Sequence, residues 1–438
     1  MSMLLKDALY NYSTRLKPKP LQFSDDGQDR SFFSRRSLTN VFSPTIKHFS
    51  FDGSGGLPFG RRSPSPRGHS TESLASNESF DLDWDQKALL ELSDSVRASL
   101  RKDNAVGPEA ERLSSFLEAV LKDEERKQPT LDFEAIEFAR LDKLLAELLA
   151  FAEMVKVASF TADLPLRFRV DVSHAKSLQR IWRRRFREQF FMMDQHRCAI
   201  LVKGGRLKDV SFNNSLTYDV SKWETKMSDP ISELEGNLQY EAGHWWLNIT
   251  CAERDGIVGS SLEMPTKGRY GSTTLPLLTG WEELIRTNTV KYIREGRSSD
   301  MHIALISQVG RQIRILRGYR LKSIFAPQAG VRYDGLFTIK QYGCKLDDKT
   351  NTYRLELTME RVPDQKSFDE IRGVPKPSQL DDWNLYEKLE GDKIKILQGD
   401  SNYLEWKLTR QEDKVDREEW RRVCAFRASF SWQGGPPL

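Results

Sequence analysis

The sequence predicts an α+β protein in which a disordered tail and a small α-helical module precede a β-rich domain with flanking helices. Apolar residues make up only 38% of the 438 residues. This share lies below the roughly 45–50% typical of compact domains, so part of the chain should stay outside any core. Apolar side chains recur at helical spacing in one region, and short alternating runs follow in another. The length favours about two to four folded units.

Cysteine spacing and hydropathy exclude several classes of protein. The four cysteines lie far apart without a C-x-x-C pair, so we expect neither a zinc site nor a disulfide framework, and a reducing intracellular compartment fits best. The most apolar stretch, residues 141–158, carries five charged side chains, so we expect no membrane-spanning helix. The first residues lack the features of a secretory signal. A cytosolic or nuclear protein is therefore expected.

Two segments form the N-terminal part. Residues 1–80 mix Ser, Gly, Pro and Arg without a sustained period and predict a disordered tail. Residues 82–160 carry three apolar stripes at helical spacing and predict a helical bundle or hairpin. Counting residues 81–160 gives 18 acidic and 11 basic side chains, so this module should bind a protein partner or support the fold rather than hold nucleic acid.

Residues 166–220 reverse the sign of the charge, with 12 basic and 5 acidic side chains. The densest stretch, IWRRRFREQFF over residues 181–191, interleaves arginine with aromatic residues. Because guanidinium groups displace counterions from phosphates, we predict phosphate contacts here. The predicted contact residues are Arg183, Arg184, Arg185 and Lys203. The alternative is the solvated face of an ordinary amphipathic helix or strand.

Short β-type runs follow up to about residue 362 and predict half-buried antiparallel or barrel strands. Residues 278–296 should form a helix between them, and residues 416–427 another helix in the polar C-terminal extension, 366–438. The predicted strands are CAILVKG (198–204), HWWLNIT (244–250), IRILRG (313–318), GLFTIKQYG (335–343) and TYRLELTMERV (352–362).

The string FAPQAGVRYDG, residues 325–335, is the most specific in the chain. Pro327 and Gly330 predict a turn that leads into a strand. The spacing resembles that of the SRA domain, also called the YDG domain, and residues 302–308 and 311–318 are similar to its two preceding strands. The resemblance covers residues 165–365 and implies an SRA-like (PUA-like) twisted β-barrel with flanking helices. The motif residues, expected to support the fold, are Arg332, Tyr333, Asp334 and Gly335.

Residues 199–219 resemble the base pocket of the same family. There, a Gly-Gly turn leads to an acid that hydrogen-bonds a flipped cytosine and to an aromatic that stacks on it. The resemblance places Asp209 on the acid and Tyr218 on the aromatic. An extruded base needs a π-face to replace its lost stacking and a fixed acceptor for its amino group. The predicted pocket residues are Gly204, Gly205, Arg206, Asp209, Tyr218 and Asp219.

Two positions depart from the family pattern. Arg206 stands where a second stacking aromatic is usual, and Asp219 stands where a threonine is common. Since a guanidinium can stack on a base, either the sandwich persists in altered form or base specificity is lost.

These features predict a non-enzymatic nuclear reader that binds methylated or hemimethylated DNA and flips a modified cytosine. The alternative is a degenerate SRA-like scaffold whose helical module contacts another protein. No RING, PHD or SET cysteine pattern accompanies the motif. Asp347 and Glu356 lack the lysine that a metal-dependent nuclease motif requires. We therefore expect no catalytic residue, metal or cofactor.

Overall fold

The N-terminal part of the described chain is a layer of six helices. The computed structural model describes residues 84–158, 165–213, 222–226, 231–348 and 350–431. Asp85 and Asp132 cap the first and third helices by accepting bonds from backbone N–H groups. The helices predicted between residues 82 and 160 are confirmed over the described residues. The six are α1 (Gln86–Asp103), α2 (Ala110–Glu124), α3 (Phe133–Phe138), α4 (Leu141–Ala158), α5 (Leu166–Phe186) and α6 (Glu188–Lys203).

One hydrophobic core joins these helices. Leu178 and Trp182 of α5 and Met193 of α6 are buried with the apolar side chains of α1 to α4. The basic segment therefore packs as helices on the acidic ones. The strand predicted at 198–204 is wrong, because these residues end α6. A short apolar run before a glycine pair suits a helix end as well as a strand, and periodicity cannot separate the two.

A mixed sheet forms the second part. Its strands are β3 (Trp245–Trp246), β4 (Thr266–Gly268), β5 (Gly271–Leu277), β6 (Trp281–Arg286), β7 (Thr289–Gly296), β8 (Gln312–Gly318), β9 (Val331–Asp347) and β10 (Thr352–Arg361). They run in the order β4-β5-β8-β9-β10-β7-β6, with β3 also paired to β9. Strands β5 and β8 are parallel, and the other neighbours are antiparallel. A separate antiparallel pair consists of β1 (Val210–Asn213) and β2 (Lys222–Thr225).

The sheet corrects several sequence predictions. The described residues form no closed barrel, because β4 and β6 stay at opposite ends of the strand order. The helix predicted at 278–296 is the β6–β7 hairpin, since the Thr, Val, Tyr and Ile content favours strands on either side of a short turn. Residues 303–308 form a 3₁₀ helix rather than a strand. The strands predicted at 313–318 and 335–343 are confirmed, as is the strand predicted at 352–362, which ends at Arg361.

Four further helices complete the described fold. The short α7 (Ile249–Arg254) follows β3, and α8 (Phe368–Arg372), α9 (Pro377–Gln398) and α10 (Asp400–Ser431) follow the sheet. The helix predicted at 416–427 lies inside the longer α10. Within the described ranges, the structure contains no helix with an apolar stretch that could span a bilayer.

Helix α9 links the sheet to the helical layer. Its Asp381 accepts two hydrogen bonds from Arg97 of α1, at 2.8 and 2.9 Å, and Arg97 also pairs with Glu147 of α4 at 2.7 Å. On its other side, α9 buries Trp383 and Tyr386 in the core that contains Trp245 and Trp246. The sheet and the helical layer therefore share one connecting element.

Candidate nucleic-acid interface

The YDG segment lies in the interior of the sheet. Asp334 is fully buried and accepts from Arg332 Nε at 2.5 Å and from Arg317 Nη1 at 2.7 Å. Arg317 also pairs with buried Glu282 at 2.8 Å. Burial opposes the charge of Asp334, but Arg332 and Arg317 outweigh this effect and hold its pKa below the usual value. The four charges neutralise one another, as buried ions must.

Tyr333 and Gly335 complete this segment. The Tyr333 ring is buried, and its hydroxyl donates to Asn237 Oδ1 at 2.5 Å. Gly335 has a φ of +101°, and a Cβ there would overlap the side-chain oxygen of Gln365. Gln365 in turn accepts from Leu336 N at 2.7 Å. Because the side chains of Arg332, Tyr333 and Asp334 are all buried, the motif can act on a ligand only through the strands that it holds.

The predicted base pocket begins at the end of α6. Gly204 is exposed and closes the helix, while a Cβ on Gly205 would come within 2.9 Å of Leu201 Cα. The Arg206 guanidinium lies 5.1 Å from the centre of the Trp245 ring, donates to Trp245 O at 3.2 Å and pairs with Asp382 at 3.4 Å. The side chain that departs from the family pattern is therefore held against the protein's own tryptophan.

Arg254 organises the loop after Arg206, a role that sequence reasoning missed. It donates to the carbonyl oxygens of Arg206 and Lys208 at 2.8 and 2.7 Å, and Asp255 holds it at 2.6 Å. Asp209 is exposed with a φ of +59°, and its carbonyl accepts from Thr225 Oγ1 at 2.8 Å. The structure thus brings Arg206 and Asp209 into one loop. Tyr218 and Asp219 lie outside the described residues.

One face of α5 is basic and exposed. Arg169, Arg180, Arg183 and Arg184 are exposed, and Lys176 is half-buried. Offsets of 7, 11, 14 and 15 residues from Arg169 place all five side chains on one side of a helix, away from buried Leu178 and Trp182. We call these five residues the α5 basic face. Its four arginines form no ion pair within the described chain, and Lys176 lies 3.7 Å from Glu153.

The other two predicted phosphate contacts differ from this face. Arg185 donates to Glu124 at 2.6 Å, and the Trp182 indole donates to the same carboxylate at 3.0 Å, so the Arg185 charge is neutralised inside the helical layer. Lys203 is exposed at the end of α6. A helical period of 3.6 would have separated Arg185 from its two neighbours, but the short RRRF run alone does not.

A cavity of about 600 Å³ opens beside the β6–β7 hairpin. We call it the hairpin cavity. It combines the rings of Trp281 and Trp420 with an exposed carboxylate, Glu283. The Arg354 guanidinium lies 5.4 Å from the centre of the Trp281 ring. Sequence reasoning missed this cavity because it assigned the hairpin to a helix. Its lining side chains include Trp281, Glu283, Leu284, Lys322, Trp420 and Cys424.

No three His, Cys, Asp or Glu side chains of the described residues cluster as a metal site.

Comparison with known proteins gives likenesses of fold only. No family model matches the chain, and no curated protein matches it. The SRA domain of SUVH5 in complex with methylated CHH DNA aligns with a TM-score of 0.25 and 16% identity over 31% of this chain and 97% of that one. The modification-dependent restriction endonuclease TagI aligns with a TM-score of 0.26 and 16% identity over 33% of this chain and 56% of the TagI chain. SUVH6 of Arabidopsis thaliana, in complex with SAM, aligns with a TM-score of 0.26 and 16% identity over 41% of this chain. This chain spans only 33% of the SUVH6 chain.

Proposed function

We propose that this chain is a non-enzymatic nuclear DNA-binding protein that holds the phosphate backbone with the α5 basic face and takes up a modified cytosine. One observation carries the proposal: five cations lie on one side of a helix, and four of them have no carboxylate partner in the described chain. A cation left unpaired on a folded surface keeps its full charge for an external anion.

The dimensions of the α5 basic face suit a duplex. Fifteen residues separate Arg169 from Arg184, which corresponds to about 22 Å of helix. Duplex DNA carries one phosphate per roughly 1.7 Å of its axis, so a helix lying along the backbone passes enough phosphates to engage every cation of the face. Arginine binds such oxygens in a bidentate manner. The face supplies affinity without reading sequence.

Base uptake, which also belongs to this proposal, needs an aromatic surface and an acceptor at one place. The hairpin cavity offers Trp281 and Trp420 as surfaces and Glu283 as acceptor. In the loop predicted from the resemblance, Asp209 offers a carboxylate, whereas Arg206 is engaged with Trp245 and Asp382. We therefore assign base uptake to the hairpin cavity, and the Asp209–Tyr218 pocket is the competing assignment.

Paired variants separate the two assignments. Labelled duplexes carrying hemimethylated, fully methylated or unmodified cytosine are titrated with the full chain and with Trp281→Leu, Glu283→Gln, Asp209→Asn and Tyr218→Leu variants. A niche for one methyl group contributes about 1 kcal/mol, so we expect a preference of roughly fivefold. Loss of that preference in W281L and E283Q alone supports the hairpin cavity. Loss in D209N and Y218L alone supports the other pocket, and no preference in the unaltered chain refutes base reading.

The second candidate function is a scaffold for another protein. It is favoured by the commitment of Arg206 to the protein's own Trp245 and Asp382, since a residue predicted to stack on a base is used inside the fold. In that case, the full chain binds duplex DNA no better than a variant with the α5 basic face neutralised.

A further inference from the structure

A second cavity, of about 590 Å³, lies where α9 and α10 meet the ends of β8 and β9. Five aromatic side chains from four parts of the chain line it. They are Trp223 of β2, Tyr319 after β8, Trp383 and Tyr386 of α9, and Trp406 of α10. We call this the aromatic cavity. It contains none of the residues discussed above for DNA binding.

The fold itself places a cation against these rings. The guanidinium carbon of Arg410 lies 5.6 Å from the centre of the Tyr319 ring, 6.0 Å from that of Trp383 and 5.6 Å from that of Trp406. Each distance lies within the range in which the ring quadrupole attracts a cation. The walls of the aromatic cavity therefore suit positive charge, and Arg410 fills one position among them.

The charged side chains that line the aromatic cavity leave an excess of acid. Arg410 pairs with Glu390 at 2.6 Å, and Arg320 pairs with Asp413 at 3.0 Å, so these four charges cancel. Glu405 also lines the cavity, is exposed, and forms no ion pair within the described chain. An uncompensated carboxylate at an exposed edge attracts cations and repels phosphates.

At the rings, hydrogen-bonding capacity narrows the class of cation. Glu390 is buried and already accepts from Trp223 Nε1 at 2.9 Å, from Tyr386 Oη at 3.0 Å and from Arg410. A primary ammonium group brings three N–H donors, and each needs an acceptor when it leaves water. Aromatic faces provide none, whereas a methylated ammonium group needs few or none.

We propose that the aromatic cavity binds a methylated ammonium group, with the partly exposed rings of Tyr319 and Trp406 contacting its methyl groups and Glu405 balancing its charge. A methylated lysine side chain of a protein and a choline group share this chemistry. This binding is independent of the proposed DNA binding, so either can fail alone.

The test measures the binding of small probes to the full chain by titration calorimetry. The probes are N-acetyl-trimethyllysine amide, its neutral tert-butyl analogue, the unmethylated lysine amide, and choline. We expect the trimethyllysine probe to bind about tenfold more tightly than the neutral analogue, because attraction between a cation and desolvated rings reaches about 1–2 kcal/mol. The unmethylated probe should bind more weakly. Comparison of choline with the trimethyllysine probe identifies which source of the group fits better.

Two variants of α10 provide the control. Glu405→Gln should weaken binding of the trimethyllysine probe a few-fold and reduce its dependence on salt. Glu412→Gln removes the same charge from an exposed position on the same helix that does not line the cavity, and should change nothing. Equal binding of the charged and neutral probes, no binding of any probe at millimolar concentration, or equal effects of E405Q and E412Q would overturn the proposal.

Discussion

Neutralising the α5 basic face should flatten the salt dependence of DNA binding. The change is the triple variant Arg180→Gln, Arg183→Gln and Arg184→Gln, which removes three exposed charges that have no ion-pair partner within the described chain. Each phosphate contact contributes about −0.9 to the slope of log K against log salt concentration, so the slope should become less negative by about 2.7. Because the replaced side chains are solvent-exposed, the folded structure should tolerate the change.

The magnitude is large enough to measure. If all five cations of the face contact phosphates, the face alone makes affinity fall about 500-fold between 50 and 200 mM salt, whereas the two remaining cations leave a fall of about 12-fold. Fluorescence anisotropy with one labelled duplex at several salt concentrations gives both slopes. The matched control, Lys102→Gln, Arg112→Gln and Lys127→Gln, removes three exposed charges from the acidic part of the helical layer. Equal slopes for the two triple variants would refute the assignment of phosphate binding to α5.

Three further predictions concern the YDG segment and the loop after α6. Gly335→Ala should lower the free energy of unfolding, measured in urea, by at least about 2 kcal/mol, because alanine disfavours a φ of +101° and its Cβ would overlap Gln365. The control is Gly373→Ala, where a Cβ meets nothing within 4 Å, and it should change the free energy of unfolding by no more than about 0.5 kcal/mol. Asp334→Asn should cost about 3 kcal/mol at neutral pH, because it leaves Arg317 and Arg332 without their shared anion. Because the pKa of Asp334 is lower in the folded state, the Asp334 carboxylate contributes its full stabilisation of the fold above the unfolded pKa of about 3.9 and loses it as pH falls below that value. If the difference in unfolding free energy between wild type and D334N stays constant from pH 6 to pH 2, this reasoning is contradicted. Arg206→Gln should lower the free energy of unfolding by about 1 kcal/mol, because the variant loses the contacts of Arg206 with Trp245 and Asp382. It should leave the preference for methylated cytosine intact. Loss of that preference without loss of stability would instead indicate that Arg206 contacts the base.

The sequence predicted those elements whose signal is local. Helical stripes in α1 to α4 and alternating apolar residues in β8, β9 and β10 are periodic over many residues, and the structure has each of them. The hairpin of β6 and β7 was not predictable in this way. Its run from Trp281 to Gly296 suits either period, and pairing of β7 with the distant β10 decides the outcome.

The candidate site shows the same limit. Charge density predicted the exposed Arg183 and Arg184 of α5 but not the exposed Arg169 and Arg180. The ion pair of Arg185 with Glu124 is a tertiary contact, which charge density does not reveal. The engagement of Arg206 depends on Trp245 and Asp382, 39 and 176 positions along the chain, and no local pattern carries such a contact. Likewise, the two cavities depend on α10 meeting the sheet, which is a tertiary contact.

The most direct test of the central claim is protection of individual arginines by DNA. The full chain is treated with an arginine-specific dicarbonyl reagent in the presence and absence of a duplex at low salt, and modification is read by mass spectrometry. We predict that DNA protects Arg180, Arg183 and Arg184, while exposed Arg112 and Arg126 react equally in both conditions. DNA binding without protection of the α5 arginines would contradict the account.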